Sequence, residues 1–458
     1  MGGHWTGDGG VASGGSAAGS AKTIAQTFPD PSLAKAVAEA NGVDEDAVFT
    51  QRMVDNTTRL EACRKGISDL EGIQWLTGLT QARFESNHIS DLLPLAGLTN
   101  LTVLDLWDNN IVDVAPLAGL TNLTYLNLGL NHVADAAPLA DLTNLTDLLI
   151  SNNDISDLSP LAGLTNLAEL YLGYNHFSDV TALAGLTRLT RLDLKANSIV
   201  DIEPLANLVS LIKLDLLNCY IDDVSPLVQL RNLTTLDLSC IDDIDVTPLS
   251  RMPSLDSLEL RGGGITDAMP LAGLTNLSSL DLMNNEIADI TPLAGLTNLT
   301  GLDLSDNDIR NVAPLAGLAN LEYLTLSRCG IGDITPLAGL TNLCMLDLSE
   351  NEITDIAPLS GMVNLKDLDL GSNRIVDVGS LTELTNLIRL ELSNNRIADI
   401  TSLASLINLD ELYLANNCIA DITPLAKLKN LGLLDMVRNN ITDITPLAEL
   451  ENLTCVFR

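Results

Sequence analysis

Carboxylates recur at intervals of 22 residues, or multiples of 22, along much of this sequence. On neighbouring strands, carboxylates about 5 Å apart repel one another, and they could bind calcium or a cationic protein surface. Eleven acidic residues share one position of the period: Asp105, Asp193, Asp215, Asp237, Glu259, Asp281, Asp303, Asp347, Asp369, Glu391 and Asp435. A repeated consensus produces the same series without any ligand, so we predict no metal site here.

Histidine and cysteine offer no second metal site. His88, His132 and His176 are 44 residues apart. This corresponds to two strand spacings, about 10 Å, which is too far to share a metal bound at about 2 Å. The seven cysteines are scattered and never form C-x-x-C, so they indicate neither a disulfide framework nor a zinc site. The sequence also lacks a phosphate loop, a dinucleotide fingerprint, a zinc-protease motif and a nucleophile elbow. We predict a non-catalytic protein without cofactors.

Aromatic residues are few but concentrated. Five of the six tyrosines and one tryptophan fall on four positions of the 22-residue period that strand geometry turns outward. Such residues carry much of the binding energy at protein interfaces, although tyrosine also favours strands for its own sake. We predict that a ligand contacts the outward-facing residues Trp107, Tyr125, Leu149, Tyr171, Tyr174, Tyr323 and Tyr413, with the first five, together with Leu130, forming a patch in the N-terminal third.

A tandem repeat positions all of these side chains. Seventeen consecutive units of 22 residues run from Leu79 to Asn452 without insertion or deletion. Counted from the first Leu of each unit, Leu or a close substitute occupies positions 1, 4 and 6. Position 9 is Asn in 13 units, position 13 is Asp in 16, and position 16 is Pro in 14. This pattern is typical of leucine-rich repeats.

Each position has a predicted structural role. Positions 3 to 7 form a strand, and strands about 4.8 Å apart would give a sheet roughly 80 Å long. Leu at positions 4 and 6 points inward, whereas positions 3, 5, 7 and 8 point outward. The buried Asn bonds the backbone of its own turn and the next. The Asp at position 13 accepts backbone N–H groups, and the Ser or Thr before Pro caps a short helical turn.

These roles predict an α/β solenoid. Its leucine-rich repeat arc has a parallel β-sheet on the concave face and short 3-10 or extended segments on the convex face. A small helical cap covers the N-terminal end. In the cap, Asp30 begins a helix that ends at Gly42, and Thr50 begins a second helix.

The chain is predicted to divide into four segments. Residues 1–22 form a flexible Gly/Ser-rich tail, and residues 23–78 form the cap and an imperfect first strand. Residues 79–452 are the seventeen repeats, and residues 453–458 are an incomplete eighteenth repeat. The unfinished last unit predicts an open strand edge, through which the chain could associate with another copy.

Units seven to nine depart from the pattern. Cys219, Ile241 and Gly263 replace the asparagine of position 9. A local hinge and simple drift in a tolerant repeat both explain this.

Two segments carry a family resemblance. The cap "FPDPSLAKAVAEANG" and the repeat core N-x-I-x-D-I-x-P-L-A-G-L-T-N-L, of which Asn439–Leu453 is a close variant, resemble the internalin family from Thr23 to the end. The resemblance implies a secreted or cell-surface protein that grips protein ligands with its concave face. The chain carries no signal peptide or anchor motif, so a cytoplasmic location is the alternative. The alternative function is an intracellular regulatory scaffold resembling phosphatase-regulating leucine-rich repeat proteins.

Net charge narrows the choice of partner. The chain has 24 Lys and Arg against 60 Asp and Glu, a net charge of −36. This charge argues against nucleic acid and anionic membranes, and it would steer a basic protein. No run approaches the roughly 20 apolar residues that span a bilayer, so we predict no membrane insertion.

Overall fold

The N-terminal cap contains the three α-helices of the described chain. The computed structural model describes residues 21–457, so the predicted tail over 1–22 lies, apart from its last two residues, outside them. The helices are α1 Ile24–Thr27, α2 Pro31–Asn41 and α3 Gln51–Asn56. Asp30 accepts the first free N–H groups of α2, and Gly42 ends it in a left-handed conformation. Thr50 accepts an N–H of α3. The predicted caps are confirmed.

One parallel sheet of nineteen strands runs through the described residues. Residues 22 apart face each other on neighbouring strands, such as Leu104 and Leu126. The strands are β1 Arg59–Glu61, β2 Gln81–Arg83, β3 Val103–Asp105, β4 Tyr125–Asn127, β5 Asp147–Leu149, β6 Glu169–Tyr171, β7 Arg191–Asp193, β8 Lys213–Asp215, β9 Thr235–Asp237, β10 Ser257–Glu259, β11 Ser279–Asp281, β12 Gly301–Asp303, β13 Tyr323–Thr325, β14 Met345–Asp347, β15 Asp367–Asp369, β16 Arg389–Glu391, β17 Glu411–Tyr413, β18 Leu433–Asp435 and β19 Cys455–Phe457.

The strands are shorter than the sequence predicts. They cover positions 3 to 5, not 3 to 7. Backbone bonds between units continue beyond them, since the N–H of Leu106 donates to Asn127 at 2.8 Å. The residue at position 8 then takes a left-handed conformation, as at Asp108 with φ 57°. A left-handed residue cannot continue a strand, so the chain turns here toward the convex side.

Short 3-10 helices form the convex side. Their bounds are Ile73–Trp75, Leu93–Leu95, Ala115–Leu117, Ala137–Leu139, Ser159–Gly163, Thr181–Gly185, Glu203–Asn207, Ser225–Gln229, Thr247–Arg251, Met269–Leu271, Thr291–Gly295, Ala313–Gly317, Thr335–Gly339, Ala357–Gly361, Gly379–Glu383, Thr401–Ser405, Thr423–Lys427 and Thr445–Glu449. The predicted solenoid class is confirmed.

The aspartate of position 13, not the hydroxyl that follows it, starts each convex turn. The backbone N–H of Ser159 donates to Asp157 at 2.8 Å, and the Ser159 hydroxyl donates to the same carboxylate. The predicted role of the aspartate is confirmed, and the predicted hydroxyl cap is wrong. A carboxylate two residues ahead is a stronger acceptor than the hydroxyl, which therefore becomes a donor.

Leucine, isoleucine and valine fill one continuous core, and buried asparagines line its turn. The Asn109 amide donates to the carbonyls of Phe84 and Leu106, each at 3.0 Å, and accepts the N–H of Ile89 at 3.0 Å. The asparagine therefore bonds its own unit and the preceding one. The sequence-based prediction placed the second set of bonds in the next unit, which is the wrong neighbour.

Units seven to nine keep the sheet but repack the turn. β8 to β11 pair without interruption. Ile241 is buried where the asparagine would lie, and Asp243 takes a second left-handed conformation, with φ 55°. Ile244 Cγ2 lies 3.0 Å from the place of a Cβ on Gly263, so the glycine makes room for the displaced isoleucine. The hinge stays a prediction.

The last unit is less well covered than the others. Leu450 is buried, but Leu447 and Leu453 are only half-buried. Self-association through this end stays a prediction. Among residues 21–457, no helix has the length and apolar character needed to cross a membrane.

Candidate functional site

A depression of about 430 Å³ lies on the outward face of the first to fifth units. Three predicted ligand contacts, Trp107, Leu149 and Tyr171, meet in it although they come from three different units. Its lining comprises Glu85, Asp105, Trp107, Asn127, Gly129, Leu149, Ser151, Asn152 and Tyr171.

Small residues at position 7 create the depression. Gly129 and Ser151 occupy this position in two successive units, and both line the depression. Trp107, also at position 7, has its Cδ1 atom 3.0 Å from the place that a Cβ on Gly129 would occupy. The indole therefore lies across the glycine and walls one side. Leu149 on β5 lies next to Tyr171 on β6, because the two residues pair in register.

Asp105 anchors the wall. Its carboxylate is almost fully buried, with 2% of the residue exposed. It accepts the backbone N–H of Trp107 at 3.1 Å and the Tyr125 hydroxyl at 3.4 Å. Burial, with the Asp105 charge adding to it, raises the pKa of Tyr125 to about 12. Tyr125 therefore remains a hydroxyl donor to Asp105 at neutral pH.

Two carboxylates share one guanidinium beside the depression. Arg83 Nη1 lies 3.5 Å from Asp105 and 3.6 Å from Glu85. Burial, followed by the charge of Asp105, raises the pKa of Glu85 above its ordinary value. One positive charge against two negative ones leaves this end of the depression acidic.

The repeat geometry matches a known family. A model described as Leucine Rich repeats (2 copies) matches residues 99–142, 143–185, 165–207, 187–229, 297–339, 341–384, 363–405, 385–427 and 407–449. A single Leucine Rich repeat model matches residues 273–290. The chain belongs to the leucine-rich repeat family. No curated protein matches it.

Solved leucine-rich repeat structures include internalins. Internalin C2 from Listeria monocytogenes is 41% identical over 48% of this chain and 100% of its own, with a TM-score of 0.47. The functional domain of InlJ from the same organism, which includes a cysteine ladder, is 23% identical over 90% of this chain and 80% of its own, with a TM-score of 0.57. The InlJ structure confirms the predicted internalin-like resemblance at the level of the repeat fold.

A plant receptor shares the fold as well. The ectodomain of the receptor kinase GASSHO1/SCHENGEN3 from Arabidopsis thaliana was solved in complex with CASPARIAN STRIP INTEGRITY FACTOR 2. It is 24% identical over 85% of this chain and 51% of its own, with a TM-score of 0.65.

The other predicted contacts lie outside the depression. Tyr174 is 48% exposed and left-handed, with φ 57°, beyond the end of β6. Tyr323 is 54% exposed on β13. On β17, the hydroxyl of Tyr413 donates to Glu411 at 3.0 Å, and the Arg389 guanidinium lies 5.2 Å from its ring centroid. None of these three tyrosines lines the depression that contains Trp107, Leu149 and Tyr171.

The acidic row of the repeats has a structural use. Asp303 pairs in register with Asp281 and accepts the backbone N–H of Ser305 at 2.9 Å. Basic side chains lie beside the row: Lys195, at position 7, lies 3.1 Å from Asp193. Over residues 21–457, no group of three or more His, Cys, Asp or Glu side chains is arranged to hold a metal ion.

Sequence reasoning missed several lining residues. Gly129, Ser151 and Asn152 attract no attention as single residues, because none is aromatic or unusual in a turn. The signal that could have found them is the row of small residues at position 7 beside Trp107. Glu85 could have been found as the acidic neighbour of Asp105 on the preceding unit.

Proposed function

We propose that this leucine-rich repeat protein binds a protein ligand on the concave face of its sheet, with Trp107, Leu149 and Tyr171 at the centre of the contact. The observation that carries the proposal is the convergence of these three residues in one depression. Aromatic anchors in a depression surrounded by polar residues are typical of interface hot spots.

The remaining predicted residues extend the contact in this proposal. Tyr125 is held by Asp105 next to the depression, and Tyr174 projects beyond it. Tyr323 and Tyr413 would contact a ligand only if it followed the concave face toward the C-terminal half. The complex of the GASSHO1/SCHENGEN3 ectodomain supports ligand binding as a use of this fold.

A capture experiment with matched double variants tests the proposal. Native chain, Trp107→Ala/Tyr171→Ala and Tyr323→Ala/Tyr413→Ala would be immobilised and exposed to the same cell-surface and cytosolic protein fractions. We expect one captured protein to bind the native chain and Tyr323→Ala/Tyr413→Ala equally. Once purified, that protein should bind Trp107→Ala/Tyr171→Ala with at least tenfold lower affinity. Equal affinity for both variants would refute a contact centred on Trp107.

We further propose that recognition is of the internalin type, directed at a protein on another cell. The alternative is a regulatory scaffold inside the cell, and both uses need the same concave face. Added protease should digest the chain on intact native cells if it serves adhesion. Complete resistance until the cells are lysed would favour the regulatory scaffold.

A further inference from the structure

We propose that the depression receives one basic side chain of the ligand, a lysine or an arginine, between Trp107 and Tyr171. This inference rests on the proposed function and adds the chemistry of the group that enters the site. Aromatic walls and adjacent carboxylates together select a long side chain that ends in a positive charge.

The aromatic part of the site suits such a side chain. The indole of Trp107 lies across Gly129, which leaves the depression open beside it. A cation over an aromatic face is attracted by the ring quadrupole, most strongly for tryptophan. Leu149, half-buried between the two aromatic residues, offers apolar surface to the methylene groups of lysine or arginine.

The charge at the site calls for a cation. Asp105 lines the depression with only 2% of its surface exposed. Its carboxylate and that of Glu85 have one shared guanidinium, on Arg83, at 3.5 and 3.6 Å. Partly desolvated carboxylates without full compensation attract a further positive charge. Burial first, and then the charge of Asp105, raise the pKa of Glu85 above its ordinary value.

A neutral sugar is the competing occupant. Aromatic faces beside amides, such as those of Asn127 and Asn152, could also stack on a saccharide. The uncompensated carboxylates favour a cation, because a saccharide would leave the charge of Asp105 and Glu85 without a counter-charge. The net charge of −36 also favours arrival of a basic group.

The test uses the full chain labelled with 5-fluorotryptophan. Fluorine NMR resolves Trp107, which is assigned with Trp107→Phe, and Trp75 in the cap is an internal control. The probe is Nα-acetyl-lysine amide, and Nα-acetyl-norleucine amide is the uncharged probe of similar length. We expect a saturable shift of the Trp107 resonance with the lysine probe, and at least tenfold weaker binding of the norleucine probe.

Matched aspartate variants identify the charge that matters. Asp105→Asn should weaken the lysine probe at least tenfold, whereas Asp303→Asn should not change its affinity. Both aspartates occupy position 5 and accept the N–H two residues on, and an asparagine oxygen can still accept that N–H, so both variants remove a charge and keep this backbone contact. Glu85→Gln should also weaken binding of the lysine probe. It leaves the bonds of Asp105 to Trp107 and Tyr125 in place, so it provides the test if Asp105→Asn unfolds this part of the sheet.

Maltotriose is the neutral saccharide probe. Three outcomes overturn this inference: no saturable shift with the lysine probe, equal binding of the norleucine probe, or a saturable shift with maltotriose when the lysine probe gives none. In each case the capture experiment still decides the proposed function, because it measures loss of the whole protein ligand. Retention of that ligand by Trp107→Ala/Tyr171→Ala would instead refute the proposed function, whatever the small probes do.

Discussion

At the residue scale, the asparagine of position 9 shows how one side chain joins two units. The Asn153 amide is buried and donates to the carbonyls of Leu128 at 2.9 Å and Ile150 at 3.2 Å. Its oxygen accepts the N–H of Val133 at 2.8 Å. No main-chain partner reaches these groups where the chain leaves the sheet, so the side chain has to supply the bonds.

Removing this amide should be costly. We expect Asn153→Ala to lower the free energy of unfolding by about 3 kcal/mol, because two carbonyls and one N–H lose their partner in the core. Asn153→Cys should cost less, since Cys329 occupies the same position with its sulfur 3.2 Å from the carbonyl of Leu304. Urea unfolding followed by circular dichroism measures both. Equal losses for the two variants would contradict this role of the sulfur.

A second residue-scale prediction concerns pH. Burial raises the pKa of Asp369 to about 6, and the charges of Asp347 and Glu391 add to this effect. The unfolded chain has a pKa near 3.8 here. The folded state therefore holds the proton more tightly, and stability falls as pH rises from about 4 to above 6.

Asp369→Asn should remove this penalty. We expect the variant to be more stable than the native chain by about 1 kcal/mol at pH 7.5, after allowance for solvent screening, and equally stable at pH 4. The amide oxygen can still accept the N–H of Gly371, which donates to Asp369 at 2.9 Å. Urea midpoints at the two pH values measure the effect. The same gain at both would contradict the raised pKa.

An Asp→Asn substitution on the convex side should change stability in the opposite direction, and it serves as the control. The hydroxyl and the backbone N–H of Thr401 lower the pKa of Asp399 below 3.8. Its carboxylate therefore stabilises the fold above the unfolded pKa, and this contribution disappears as pH falls through the lower folded value. Asp399→Asn should lower the urea midpoint at pH 7.5, with a smaller difference at pH 3.

At the element scale, one side chain helps to join α2 to the turn that follows the imperfect first strand β1. Asp30 accepts the N–H groups of Ser32 and Leu33 in α2, and its other oxygen accepts those of Ser68 and Asp69 in the loop after β1. These backbone N–H bonds hold the pKa of Asp30 below its usual value, although burial opposes them. α2 is therefore fixed to the unit that contains β1 by bonds as well as by apolar packing.

Units seven to nine should open more readily than their neighbours. In regular units, the N–H of position 11 donates to the asparagine of the next unit, as Ile287 does to Asn307 at 2.9 Å. Ile221 is at position 11 of unit seven, and position 9 of the next unit is Ile241 instead of asparagine. The N–H of Ile221 therefore lacks the asparagine acceptor. We expect amide exchange of Ile221 to be at least about tenfold faster than that of Ile287.

Hydrogen exchange resolved by mass spectrometry would measure the difference. Ile287 and Ile353, which both have the asparagine acceptor, are the matched controls within the molecule. Uniform protection across units seven to thirteen would contradict the prediction and would also remove the hinge. Faster exchange of Ile221 than of both controls would support it.

At the whole-molecule scale, the repeat multiplies its own charge. Many acidic residues at position 5 lie in register with another on the next strand, about 5 Å away, as Asp281 does with Asp303, and the chain reaches a net charge of −36. Few basic residues interrupt the rows. Self-repulsion of this kind lowers the stability of the folded state at low salt.

Salt should therefore stabilise the protein. We expect the Tm to rise by about 5 °C between 20 mM and 300 mM NaCl at pH 7.5, because the screening length falls to within about twice the spacing of the carboxylates. The rise should level off at higher salt. Calorimetry or circular dichroism would measure it, and an unchanged or lower Tm would show that the neighbouring bonds already offset the repulsion.

Several local details could not be predicted from the pattern alone. The period predicts a strand near position 4, but the left-handed residue at position 8 and the three-residue strands depend on how the chain leaves the sheet. It predicts that asparagine is buried, but not that the amide of Asn109 reaches back to Phe84. It places a hydroxyl before proline, but the Ser159 hydroxyl donates to Asp157 and does not cap the turn.

The sequence by itself determined the solenoid and its outward-facing positions. A strict 22-residue period makes every unit pair in register with the next, since a single unit cannot bury its own leucines. Only the tertiary structure decided that Trp107, Leu149 and Tyr171 line one depression and that Tyr174, predicted in the same patch, does not. The physical reason is that a depression depends on how side chains lean across neighbouring units. The indole lies over Gly129 and Arg83 lies between two carboxylates, and no period specifies either arrangement.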